Sequence, residues 1–95
     1  MYDTDSLIDR IRELENQVGE KSDDPITIPL EEWDGPEDEI GYLQEIISRY
    51  EDVNSCLPVY ARYEKCPWSH EMYELNQKLM EVMRQRIVVL KQRME

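Results

Sequence analysis

The stretch PEDEIGYLQEIISRYEDV, residues 36–53, settles the fold class. Pro36 suits a first helical position, where its missing N–H costs nothing, and Glu37, Asp38 and Glu39 fill a first turn whose dipole stabilises carboxylates. Ile40, Leu43, Ile47 and Tyr50 then recur at steps of three and four, joined by Ile46 and Val53, and so lay one broad apolar face along a helix. The spacing predicts a helix over about residues 37–55. Pro58 disfavours helical backbone at Leu57 and is expected to end or kink the segment there.

Upstream, residues 20–36 read as an acidic extended arm. Residues 20–39 hold nine acidic side chains against one basic one, and Pro25, Pro29 and Pro36 forbid a continuous helix. Ile26, Ile28 and Leu30 alternate with Thr27, Pro29 and Glu31, giving an extended segment one apolar face, with Trp33 just beyond it. Two readings stay open for the arm: a strap over the chain's own helices, or a recognition segment that adds to a partner's groove or sheet edge. Before it, residues 1–19 carry a heptad helix. Leu7, Ile11, Leu14 and Val18 form its seam, Asp3 or Thr4 caps its start, and Gly19 is expected to take the left-handed conformation that stops it near residue 18. The run Arg12-Glu13-Leu14-Glu15-Asn16-Gln17-Val18 resembles a leucine-zipper segment, a likeness of geometry that extends over about two heptads.

Downstream, residues 56–68 break the helical pattern. Pro67-Trp68-Ser69 then reads as a helix start, with Ser69 as cap and Trp68 stapled to Tyr73. The helix expected over about residues 69–94 is about 38 Å long, more than a compact chain of this size needs, so part of it is expected to reach another surface. In its distal half Met83, Ile87, Leu90 and Met94 share one side, flanked by Arg84 and Lys91 on one edge and by Arg86 and Arg93 on the other, as charges flank a coiled-coil seam. Cations placed to suit a helix C-terminus explain the same residues equally well. The architecture predicted is all-α: a small helical bundle or coiled-coil protein with an acidic, proline-interrupted extended arm between its first and second helices. Its parts are residues 1–19, 20–36 and a helical region over 37–95.

The 95 residues carry a formal charge of −11, unevenly spread: residues 1–59 hold 17 acidic and 4 basic side chains, residues 60–95 hold 5 and 7. An acidic body opposes affinity for nucleic acid or anionic membrane, because phosphate binding needs Lys and Arg to displace counterions. The opening Met1-Tyr2-Asp3-Thr4-Asp5 has no basic or apolar leader pattern and no later stretch is apolar enough for a membrane span, so cytosol or nucleus is the expected compartment. Cys56 and Cys66 are then expected as reduced thiols.

Chemistry-bearing residues are sparse. Cys56, Cys66 and His70 fit no zinc spacing, and a closed site would need a fourth ligand from a carboxylate. His70 lies only four residues from Cys66, with no third residue to orient it as the base for a thiol nucleophile. Three scattered glycines make no phosphate loop. No catalytic, cofactor-binding or metal residue is therefore expected, and no cofactor. The function expected is non-enzymatic: a small helical subunit or adaptor of a larger assembly. Its contacts are expected through Leu7, Ile11, Leu14 and Val18, through Trp33, and through Met83, Arg84, Arg86, Ile87, Leu90, Lys91 and Arg93. The partner expected is a protein, helical or with a basic surface, with a second copy of the chain as one alternative and neither nucleic acid nor membrane. A second functional expectation is an acidic inhibitor that mimics nucleic acid, of the phage type that blocks restriction, CRISPR or transcription machinery, supported by the acidic run 20–39.

Overall fold

The computed structural model describes residues 4–21, 27–29, 33–60 and 70–94. These form three helices, α1 (Thr4–Lys21), α2 (Pro36–Tyr60) and α3 (His70–Met94), and the protein is all-α. None of the three is long and apolar enough to cross a membrane. The molecule is rod-like, with extents of 48 × 24 × 20 Å.

Local sequence explains the helices, with two corrections. Pro36 is the first residue of α2, and three carboxylates follow it in the first turn. Gly19, however, does not stop α1: the helix runs through it to Lys21, and no glycine among the described residues has a positive φ. A glycine inside a helix costs only about 1 kcal/mol, and the extra turn stays beside α3, with Val18 buried just before it and Lys21 Nζ 3.0 Å from Glu71 Oε2. Nor does α2 end before Pro58, since its backbone stays helical to Tyr60. In a last turn a proline forfeits only one bond to the carbonyl four residues back. The expected staple of Trp68 and Ser69, the segment 61–69, Cys66, and the arm residues Ile26 and Leu30 lie outside the described residues.

The packing is built around α3. It lies against both α1 and α2, whereas the backbones of α1 and α2 do not approach each other closely. Both outer helices run antiparallel to α3. Lys21 at the end of α1 meets Glu71 at the start of α3, and the α2 residues Glu39 and Asn54 meet Arg86 and Asn76 in the reverse order. Consequently α1 and α2 are parallel, and Lys21 and Pro36 lie at opposite ends of the rod. An extended chain between Lys21 and Pro36 reaches about 50 Å, against the roughly 33 Å that α3 spans between those ends. Midway, Ile28 is completely buried and donates its N–H to Glu15 Oε1 at 3.2 Å. At Ile28 the arm is a strap.

The two predicted seams close within the chain. Leu7, Ile11, Leu14 and Val18 on α1, and Met83, Ile87 and Leu90 on α3, are all buried, and all but Leu7 join Ile28 and the α2 residues Ile40, Leu43, Ile46, Ile47 and Tyr50 in one core. The apolar arc of α3 is wide because it serves two neighbours. That arc also takes in Met72, Leu75, Leu79 and Met80. Burying each such side chain contributes about 1.5–3 kcal/mol.

Candidate interaction site

The most unusual group of residues lies where α2 begins, α3 ends and the arm arrives. With positions advanced by about 100° per residue, Glu39 falls inside the apolar arc of α2 and Arg86 inside that of α3. Both are therefore carried into the core. Arg86 Nε donates to Glu39 Oε2 at 3.0 Å and Nη2 donates to Oε1 at 3.1 Å, a two-pronged pair whose side chains are 7% and 3% exposed. The fork satisfies both carboxylate oxygens and leaves Arg86 Nη1 buried without a partner.

Trp33 sits beside this pair. Its ring lies 5.0 Å from that of Tyr42, tilted by 49°, and packs against the core while remaining partly exposed. Its indole Nε1 is also buried without a partner. Trp33, Pro36, Glu39, Arg86, Leu90 and Arg93 surround a hollow of about 380 Å³. A second depression of about 330 Å³ adjoins it at the tip of the rod, between Asp34, Glu37, Asp38 and Met94.

The fold thus brings together Trp33, Arg86, Leu90 and Arg93, which the sequence offered on separate segments. It does not bring the others there. Leu7, Ile11, Leu14, Val18, Met83 and Ile87, singled out as facing a partner, are covered by the chain's own helices instead. Arg86, read as a flanking charge, points inward to Glu39, while Arg84 stays on the surface and donates to Glu51 Oε1 at 2.7 Å. Lys91 and Arg93 are exposed in the last turn of α3, and Met94, placed on the seam, is exposed as well. Sequence reasoning missed Glu39 and Tyr42. The signal for Glu39 was present: an acid within the apolar arc of one helix and a base within that of another are complementary.

Other polar groups hold the fold. Glu15 accepts from both Arg12 and the Ile28 N–H, and burial nonetheless pushes its carboxyl above the usual range against those opposing contacts. Burial, with the charge of Glu15 as a second cause, also drives the Tyr50 hydroxyl well above its ordinary value. Asn76 Nδ2 donates to Asn54 Oδ1 at 2.9 Å, pinning the register of α2 on α3. His70 is largely exposed, 3.2 Å from Glu74 and stacked on Tyr73. No cluster of three His, Cys, Asp or Glu side chains with metal-holding geometry occurs among the described residues.

The chain matches no protein-family model, no curated protein and no solved structure.

Proposed function

We propose that this chain is a non-enzymatic protein–protein interaction module, a small helical subunit or adaptor of a larger assembly, and that its contact is the end of the rod around Trp33. One observation carries the reading: a partly exposed Trp33 stands with Leu90 and Arg93 around one hollow of about 380 Å³ at the end of the rod. An aromatic and an arginine in one concave place are also the residue types that anchor interfaces. The test is co-purification from the native source. A partner held in constant stoichiometry by the wild type, kept at 0.5 M salt and lost with Trp33→Ser while the helical signal persists, is the expected result. A partner indifferent to Trp33 removes the proposal.

The second reading, mimicry of nucleic acid, is favoured by one feature: Asp38, Glu45 and Asp52 are exposed at seven-residue intervals down α2. They form a rigid acidic stripe with a repeat of about 10.5 Å. Arg49 interrupts it by pairing with Glu45 at 3.0 Å. Under this reading the captured species is a nucleic-acid enzyme, and Asp38→Lys with Asp52→Lys and added salt abolish the capture.

A further inference from the structure

We infer that the outer face of α3 is a self-association surface, on which a second copy of the chain docks antiparallel, α3 against α3. This face is separate from the Trp33 end and stands or falls independently of it. Opposite its buried arc, α3 carries a second stripe with three-four spacing: Glu74, Gln77, Glu81, Arg84, Val88 and Lys91, all exposed. Advanced by about 100° per residue, all six fall within roughly 60° of Val88, whereas Leu90 and Arg93 at the hollow lie on the opposite side of the helix. Val88 is 53% exposed, and the large apolar side chains exposed among the described residues, Tyr73, Val88 and Met94, all belong to α3.

The charges along the stripe decide both the occupant and its direction. Stacked antiparallel about a two-fold axis beside residues 82 and 83, two copies set Glu74 level with Lys91 of the second copy, Gln77 level with Val88 and Glu81 level with Arg84, and symmetry repeats each layer. Four opposite-charge layers result. A slip of one heptad either way leaves two, and a parallel pairing sets Glu74, Glu81, Arg84 and Lys91 each against its own like charge. Arg84 already donates to Glu51 at 2.7 Å and Glu74 lies 3.2 Å from His70, but a guanidinium has several donors and a carboxylate several lone pairs, so each can take a second partner. The acidic chain as a whole repels its copy. Residues 70–94, however, hold three Glu against five Lys or Arg, which makes α3 the one net-basic helix of the three and its outer face the place where two copies meet with least repulsion. A seam this polar gives a weak contact that fades with salt.

Sedimentation equilibrium at low salt, from about 10 µM to about 1 mM protein, compares the wild type with Glu74→Lys/Glu81→Arg and with Arg84→Glu/Lys91→Glu. All four positions are exposed, and circular dichroism checks that both variants keep their helix. The wild type should dimerise. Each variant alone should associate at least about tenfold more weakly, because every charged layer becomes like against like, and an equimolar mixture of the two should return to within about threefold of the wild type. A second measurement needs no variant. A zero-length carbodiimide cross-linker, applied to mixed isotopically light and heavy wild-type chains, should join Glu74 of one copy to Lys91 of the other, a pair about 26 Å apart along one helix and so unable to link internally. A wild type that stays monomeric throughout, reversed variants that dimerise as tightly as the wild type, a mixture no tighter than its components, or dimers without the mixed-isotope Glu74–Lys91 link would each overturn the inference.

Discussion

At the scale of single residues, the buried charges decide more than the exposed ones. Exposed pairs such as Arg10–Glu13 and Arg49–Glu45 contribute about 0–1 kcal/mol each. The Glu39–Arg86 pair behaves differently. Removing one member strands the other in the core, and Glu39→Leu or Arg86→Met should each lower unfolding free energy by about 3–5 kcal/mol, whereas Glu39→Leu/Arg86→Met together should cost far less than their sum. Urea unfolding of the four proteins measures the coupling, and additive losses would mean that the fork contributes nothing. Glu15 yields a prediction in pH. Its folded carboxyl is raised above 4.5, so the folded state holds that proton more tightly than the unfolded chain does. Its contribution is therefore present in full below the unfolded value and is lost as pH rises through the folded one. Stability of the wild type relative to Glu15→Gln should accordingly improve as pH falls from 7 towards 4.5. A constant difference across that window would contradict the shift.

At the scale of elements, periodicity made the helices legible and tertiary contacts made their ends illegible. Ile40, Leu43, Ile47 and Tyr50 announce α2 by spacing alone, and all four are buried. Gly19 and Pro58 carry local stop signals that the backbone passes through, and no local rule foresees the Lys21–Glu71 pair at the end of α1. The hollow was the least legible feature, because its walls come from residues as far apart as Trp33 and Arg93. Only Trp33 and the cluster of basic residues in α3 hinted at it. The arm was read both as a strap and as a recognition segment. Ile28 takes the first role, and Trp33 lies at the hollow assigned above to the second. Ile28→Ala should therefore cost about 2–5 kcal/mol, as other large-to-small core changes do, with little loss of helix at low denaturant. A change below 0.5 kcal/mol would show that the strap is dispensable. Leu14→Asp distinguishes a seam closed inside the chain from one closed between chains: it should abolish cooperative unfolding, not convert an oligomer to a folded monomer, as sedimentation and circular dichroism together would report.

At the scale of the whole molecule, stability is shared unequally among the helices. Since α1 and α2 each pack on α3 and not closely on one another, neither has a full apolar counterpart without it. Unfolding should therefore be a single transition, with the same urea midpoint by far-ultraviolet circular dichroism and by tryptophan fluorescence. Separate midpoints would mean that α1 or α2 detaches by itself. A fragment of residues 1–69 should show little helix, because isolated helices of this length are marginal in water. The central place of α3, last in chain order, also has a consequence in time. The helix on which both others dock is translated after them, so on the ribosome the Leu7–Val18 and Ile40–Tyr50 stripes leave the exit tunnel with nothing to cover them. For that interval the apolar stripes are open to aggregation, and a stall anywhere before α3 should release a sticky polypeptide in place of a partly built protein.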